Sequence, residues 1–248
     1  MRDPGQPPVA SGSARARAGG RPPAGTVLEV RWIDIRAVTL SRSELRELDA
    51  VERTRAAAFT FAADRHRYLV AHAALRRALS GQAGTPPGRL EFIRQPCPRC
   101  GGPAGRPALA GHPGVHFSLA HSGDAVAIAI ASAPVGIDTE RMAERCTCRL
   151  AAAMHAGDAA SIRMLPEQRR HAEIMRWWVG AEAVLKCTGA GIVHGMAEFP
   201  VLTARPAAGQ AALRTAGCWL LPLPAPPGYA AALGLRSAEP PAPGTLAP

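Results

Sequence analysis

From Val27 to Val38 apolar and polar side chains alternate, with Leu28, Val30 and Trp32 set against Val27, Glu29 and Arg31. That is the period of a half-buried strand. Ser41 with Glu44 three residues later is a capping box, which predicts a short helix over Ser43–Leu48. The period lengthens across Ala63–Leu79. There Tyr68, Leu69, Ala71, Leu75 and Leu79 form an inward face, and Arg65, Arg67, Arg76 and Arg77 fall on or beside the other. Gly81–Gly88 reads as a loop and Leu90–Ile93 as a brief strand, while the glycines and prolines of Cys97–Pro113 predict an irregular loop. Val115–Asp124 runs as a strand into a turn, and the small residues of Ala125–Ala131 return as its hairpin partner. After Pro134, Val135–Glu140 is a new strand. Helical signal is weak from Met142 to His171 and strong from about Glu167 to Cys187. Strands are expected at Glu198–Ala204, Cys218–Leu223 and Tyr229–Arg236. Each half therefore has strands plus one major helix, which fits an α+β protein of two similar lobes, although no residue-level repeat is visible.

Composition narrows the partners. The 248 residues carry a net charge of +10, which favours an acidic or phosphorylated partner. The arginines are scattered and tyrosines number only 2, whereas a nucleic-acid binder would show a dense basic stripe or stacking aromatics. No apolar run approaches the roughly 20 residues of a membrane span, and no apolar leader follows Met1. A soluble cytoplasmic protein is expected, with its 6 cysteines as reduced thiols. Residues 1–25 and the tail after Ser237 are rich in Pro and nearly free of apolar side chains, so both should be disordered.

Lys186 is the only lysine among the 29 basic residues. Lysine offers a compact point charge suited to a phosphate oxygen, arginine a planar fork. Glu182 lies four residues earlier, on the same helical face. On a surface such a pair is worth about 0.3–0.5 kcal/mol and implies no function. Asp138 and Glu140, two apart on a strand, point to one side. Exposed strand acids are ordinary, yet two adjacent carboxylates repel unless a cation lies between them, and a pair of hard oxygen ligands suits Mg²⁺. Glu182 is the candidate third carboxylate. His116 and His121 flank a segment bearing Ser118 and Ser122; a histidine there is either structural or a phosphate donor. Arg67 and Arg106 are further candidates for anion contact.

Zinc is the competing chemistry. Cys97-x₂-Cys100, eleven residues, then His112-x₃-His116 comes within one residue of zinc-finger spacing. The intervening glycines and prolines cannot form the helix that a DNA-reading finger needs, which leaves a zinc-stapled loop. There is no P-loop and no Gly-x-Ser-x-Gly elbow, and Gly189-x-Gly191 follows no strand.

Three segments occur in order: His116-Phe117-Ser118-Leu119-Ala120-His121-Ser122-Gly123, Val135-Gly136-Ile137-Asp138-Thr139-Glu140, and Trp178-Val179-Gly180-Ala181-Glu182-Ala183-Val184-Leu185-Lys186. They resemble the F-(N/S)-x-S-H-S, G-(V/I)-D-x-E and W-x-x-K-E-A-x-x-K motifs of the larger, single-chain 4′-phosphopantetheinyl transferases. The Asp64–Arg77 helix and Gly105-Arg106-Pro107 are similar to their counterparts there, so the resemblance covers roughly residues 27–236. It implies two α/β lobes related by a pseudo-two-fold axis, over residues 26–133 and 134–236. It implies that Asp138, Glu140 and Glu182 hold Mg²⁺ against the diphosphate of coenzyme A. Lys186 and His121 would contact the phosphates, making Glu182, Lys186 and His121 the catalytic set, while Arg67 and Arg106–Pro107 would hold the nucleotide end. The implied reaction is attack of a carrier-protein serine on the β-phosphorus of coenzyme A, releasing 3′,5′-ADP. The implied partner is an acidic acyl or peptidyl carrier protein, with no nucleic acid or membrane involved and the enzyme a monomer.

Three positions depart from the pattern. Ala181 replaces the motif lysine and is expected to remove a cation from the site. Ala120 replaces a serine, and Ala104 a histidine common in close relatives. A weakened relative that binds coenzyme A or a carrier without efficient transfer, or a zinc-stapled interaction protein, are the alternatives.

Overall fold

The computed structural model describes residues 28–142, 150, 153–191, 195–202 and 212–238. The expected disordered termini lie almost wholly outside these residues. The alternating segment forms β1 (Leu28–Asp34). Its antiparallel neighbour is β5 (Ala125–Ala131), which also pairs with β4 (His116–Ser122), giving the sheet order β1-β5-β4. β5 is buried along its whole length. Val126, Ile128 and Ile130 pack on α3 (Ala62–Ala83), and Ala127, Ala129 and Ala131 face the other way. Each such branched side chain taken out of water contributes about 1.5–3 kcal/mol.

The second sheet is β6-β9-β8-β7: β6 (Val135–Arg141), β7 (Leu213–Thr215), β8 (Cys218–Pro222) and β9 (Tyr229–Leu235). One face, with Ile137, Leu221, Leu233 and Leu235, meets the alanine face of β5. The other is covered by α5 (Glu167–Thr188), with Trp177, Val184 and Leu220 in one core. The layers therefore run helix, sheet, sheet, helix. Among the described residues no helix is long and apolar enough to cross a membrane.

Several expectations need correction. The Ser41–Glu44 capping box does start a helix, α1 (Arg42–Arg46). A second box, Asp49 with Glu52, starts α2 (Ala50–Ala57), which the apolar pattern does not announce because its residues are mostly polar or alanine. The α3 helix continues through Gly81 to Ala83 and stops where Gly84 turns left-handed at φ +62°. Arg76 is not on the outer face but fully buried. The brief strand falls at β2 (Phe92–Arg94), and the loop expected at Cys97–Pro113 contains β3 (Pro107–Leu109), its antiparallel partner. In the weakly helical stretch α4 (Ala156–Arg163) forms; residues 143–149, 151 and 152 lie outside the described set. Of the strand expected at 198–204, none forms at 198–202, and residues 203 and 204 lie outside the described set. The buried Asp158 carboxylate instead accepts the Val201 and Leu202 N–H groups, at 2.7 and 3.1 Å.

Candidate active site

β6 and α5 meet unusually closely. A Cβ on Gly136 would lie 2.1 Å from the Ala183 carbonyl oxygen and 2.4 Å from the Cys187 nitrogen, and one on Gly234 would lie 2.8 Å from the same carbonyl oxygen. The two glycines are opposite one another in the β6–β9 ladder. Together they leave a smooth floor on which the last turns of α5 rest, so Glu182 and Lys186 come down beside Asp138. The helix ends where Gly189 takes φ +80° and its N–H donates to Leu185 O at 2.9 Å.

Lys186 Nζ donates to Asp138 Oδ1 at 2.7 Å and to Ile137 O at 3.1 Å. Asp138 and Glu182 are 6% exposed each. Asp138 Oδ2 and Glu182 Oε1 are buried and have no hydrogen-bond partner among the described residues. Burial pushes the Asp138 carboxyl up to about 6, the Lys186 ammonium opposing this and Glu140 adding to it. Burial and then repulsion from Asp138 push Glu182 up to about 7. Both residues line a cavity of about 320 Å³, together with Leu119, Ala120, His121, Glu140, Trp178 and Lys186. The His121 imidazole is held below its usual range by desolvation and by the charges of Arg67 and Lys186.

The cavity wall joins the two sheets through serine side chains. Ser118 Oγ accepts the Ile137 N–H at 3.0 Å, and Ser122 Oγ accepts the Arg141 N–H at 3.1 Å while donating to Glu140 Oε2 at 2.5 Å. Both pairs are 19 residues apart, so β4 and β6 run side by side in the same direction, with hydroxyls standing where ladder carbonyls would be. Their spacing of four on a strand, hence one face, was the only sequence signal for this role.

The cavity thus gathers Asp138, Glu140, Glu182, Lys186 and His121. Arg67, Arg106 and Pro107 do not line it. Arg67 donates to Gly123 O at 2.6 Å and to Asp64 Oδ1 at 2.7 Å. Arg106 donates to Gln95 Oε1 at 2.7 Å and to Cys187 O, in the last turn of α5, at 2.9 Å. Pro107 opens β3. Trp178 and Leu119, absent from the sequence candidates, complete the walls. Ala181 is fully buried in the core beneath α5 and does not line the cavity. The alanine therefore fills a core position rather than leaving a gap among the carboxylates. Ala120 does lie on the wall.

As the side chains stand, no group of three or more His, Cys, Asp or Glu among the described residues is arranged to hold a metal ion. For Cys97, Cys100, His112 and His116 the four-ligand zinc set is not assembled. For the carboxylates the reason is visible: one oxygen of Asp138 is taken by Lys186 and one of Glu140 by Ser122. The two orphaned oxygens are nevertheless what a hard cation requires, because buried carboxylates are otherwise paired or protonated.

Two sheets flanked by helices, with three acids and one lysine around a cleft, define a mixed α/β protein. A model of the 4′-phosphopantetheinyl transferase superfamily matches residues 134–232, the span from β6 to β9 that carries all three acids and Lys186. The chain is 30% identical over 163 residues to the 4′-phosphopantetheinyl transferase psf-1 of Bacillus pumilus, covering 66% of each chain. It is 29% identical over 192 residues to the 4′-phosphopantetheinyl transferase HetI of a Nostoc species, covering 75% of this chain and 73% of that one. A 4′-phosphopantetheinyl transferase of Bacillus subtilis is 30% identical over 95 residues, 38% of this chain and 39% of the other. The chain belongs to the 4′-phosphopantetheinyl transferase superfamily.

Proposed function

We propose that this protein transfers the 4′-phosphopantetheine arm of coenzyme A to a serine of an acyl or peptidyl carrier protein, in a Mg²⁺-dependent reaction that releases 3′,5′-ADP. The observation that carries the reading is the pair of buried, unpartnered oxygens, Asp138 Oδ2 and Glu182 Oε1, on two acids that line one cavity with Glu140 and Lys186. Asp138, Glu140 and Glu182 would hold the ion, which when bound neutralises charge on the diphosphate of coenzyme A.

The chain's own groups do the rest. Lys186 is fixed at the floor by its bond to Ile137 O and presents its ammonium to a phosphate oxygen, where it offsets charge that would repel the incoming serine. His121 donates to a second phosphate oxygen from the β4 wall. Glu182 accepts the serine proton as the serine oxygen bonds to the β-phosphorus. The bond from that phosphorus to the oxygen bridging to 3′,5′-ADP breaks, and the nucleotide leaves. Trp178 and Leu119 close the cleft against water. Arg67 and the Arg106–Pro107 loop would reach the nucleotide end only by leaving their present partners. The net charge of +10 suits an acidic carrier surface. In this reading the chain splits at residues 133/134 into two lobes related by a pseudo-two-fold axis, each with an antiparallel sheet and a helix of 22 residues. The protein acts as a cytoplasmic monomer.

The test is incubation of the purified protein with coenzyme A, Mg²⁺ and a panel of unmodified carrier proteins, read by intact mass. A carrier gains one phosphopantetheine with the wild type, and the gain is lost with Asp138→Ala. Absence of any gain across the panel, with no binding of coenzyme A, would overturn the reading. The position of Ala181 in the core supports transfer over a weakened, binding-only relative.

A further inference from the structure

The turn at Cys97 carries chemistry that the cavity does not use. The Cys97 N–H donates to Gly102 O at 2.7 Å, and its carbonyl accepts the Gly101 N–H at 2.8 Å. Gly101 sits at φ +71°, a conformation that a side chain would resist and that lets the chain close directly after Cys100. The backbone amides of Arg99 and Cys100, and then the Cys100 thiol, hold the Cys97 thiol below its ordinary range. Cys97 is buried and Cys100 exposed. The closed turn thus holds a buried cysteine and an exposed one three residues apart.

Neither alternative use of the cysteines competes well. A four-coordinate zinc site needs further ligands, and no group of three or more His, Cys, Asp or Glu gathers among the described residues. The other close pair, in which the Cys218 thiol donates to Cys187 Sγ at 3.2 Å, is fully buried and offers a reagent no access.

We propose that Cys97 and Cys100 are a reversible dithiol–disulfide site that reacts with small disulfides of the glutathione class. Cys100, the cysteine that solvent reaches, gives up its proton and attacks one sulfur of the small disulfide. That S–S bond breaks, one small thiolate leaves, and Cys100 carries a mixed disulfide. The Cys97 thiolate then attacks the Cys100 sulfur and the second small thiolate leaves. Two electrons pass from the cysteine pair to the reagent, whose two sulfurs take up the two protons as thiols. The exposed cysteine captures and the shielded one resolves, as their burial dictates. This site is independent of the transfer reaction, although the turn abuts the end of α5. A Cβ on Gly189 would touch Pro98 and Arg106 at 3.7 and 3.6 Å, and Arg99 pairs with Glu198.

The experiment uses the full chain, reduced and then equilibrated with oxidised and reduced glutathione in the presence of a chelator. Trypsin cleaves after Arg99, between the two cysteines, so a Cys97–Cys100 disulfide appears as two tryptic peptides joined. The proposal expects that joined species, its reversal by excess reduced glutathione, and a glutathione adduct trapped on Cys100 in Cys97→Ser. In Cys100→Ser the adduct on Cys97 should be at least tenfold slower to form. Two free thiols persisting at Cys97 and Cys100 under oxidising poise, or a disulfide formed only between other cysteines, would overturn it. So would one zinc per chain that purifies with the wild type and is lost in Cys97→Ser, since that outcome makes the turn a metal site.

Discussion

Arg76 and Lys186 are both cations drawn in among carboxylates, yet their surroundings are built in opposite ways. Arg76 is fully buried and every arm is engaged. Nε meets Glu52 Oε2 at 2.7 Å, Nη2 meets Asp49 Oδ2 at 2.7 Å, and Nη1 donates to Pro87 O and Leu90 O at 2.8 and 3.1 Å. Its plane lies over the Phe92 ring at 4.9 Å. His72 takes the other oxygen of Glu52 at 2.9 Å. Burial pushes the Glu52 carboxyl up, but His72, the Asp49 N–H and Arg76 together outweigh it and leave it below its usual value. Around Lys186 the balance is reversed: one ammonium faces three acids, two buried oxygens lack partners, and both buried carboxyls rise. Complete pairing marks a structural charge; leftover acceptors mark a place where a ligand belongs.

The strongest way to break that contrast is Arg76→Leu. It leaves Glu52 buried without its guanidinium and two loop carbonyls without a donor. Removing one member of a buried ion pair costs about 3–5 kcal/mol, and a fall of that size in urea-unfolding stability is expected, with the cavity's chemistry affected only through lost fold. A fall under about 1 kcal/mol would mean that the network is no more than surface pairing.

Glu182→Gln should shift stability the other way. Folded-state carboxyls near 6 and 7 stand above the unfolded values of 3.8 and 4.5, so the folded chain holds extra protons between those limits. By linkage, metal-free wild type loses stability as pH rises from about 4 through about 7, and each tenfold difference in proton affinity between folded and unfolded chain amounts to about 1.4 kcal/mol. Glu52 acts oppositely: its carboxyl is lowered, so its contribution is present above the unfolded value and is lost as pH falls below it. Removing the Glu182 charge should therefore flatten the slope on the neutral side and raise stability by about 2 kcal/mol at pH 8 in chelator. Unfolding midpoints across pH, with and without Mg²⁺, measure this. An unchanged slope would mean that the two acids are not in conflict.

The sequence exposes one side of this comparison far better than the other. β6, α5 and the β4–β5 hairpin are readable because their periods are long and Gly136, Gly189 and Gly123 punctuate them. The acids and Lys186 could be set on matching faces by spacing alone. The Arg76 cluster was not readable from the apolar pattern. Helical periodicity puts Arg76 beside Arg77, and only tertiary packing brings α2 against it. Yet Asp49-x-x-Glu52 is the same capping signature that announced α1, so α2 itself was within reach. The β7–β8 hairpin turns at Ala216-Gly217, with Ala216 at φ +47°, a position that asparagine or glycine would have advertised. The buried place of Ala181 was equally hidden, since the motif marks it as polar and only the packing of α5 on Val201 and Leu220 makes it core.

Smaller effects come from the two serines that tie the halves together, and they separate support from chemistry. Ser118 is 5% exposed, and Ser118→Ala strands the buried Ile137 N–H one residue from Asp138. A lost acceptor of this kind costs roughly 1–2 kcal/mol, visible as a lower unfolding midpoint.

Ser122→Ala should hardly touch stability, about 0.5 kcal/mol, because water can reach the Arg141 N–H that it leaves. It does free Glu140 Oε2, the oxygen that Ser122 now orients. If Glu140 binds a divalent ion, loss of such an orienting donor weakens affinity about tenfold, measurable with Mn²⁺ by electron paramagnetic resonance and without any substrate. Ser118→Ala, acting on backbone, should leave that affinity within about twofold of wild type. Equal Mn²⁺ affinity in Ser122→Ala and wild type would remove Glu140 from the ligand set, leaving Asp138 and Glu182 as the two acids with oxygens to offer.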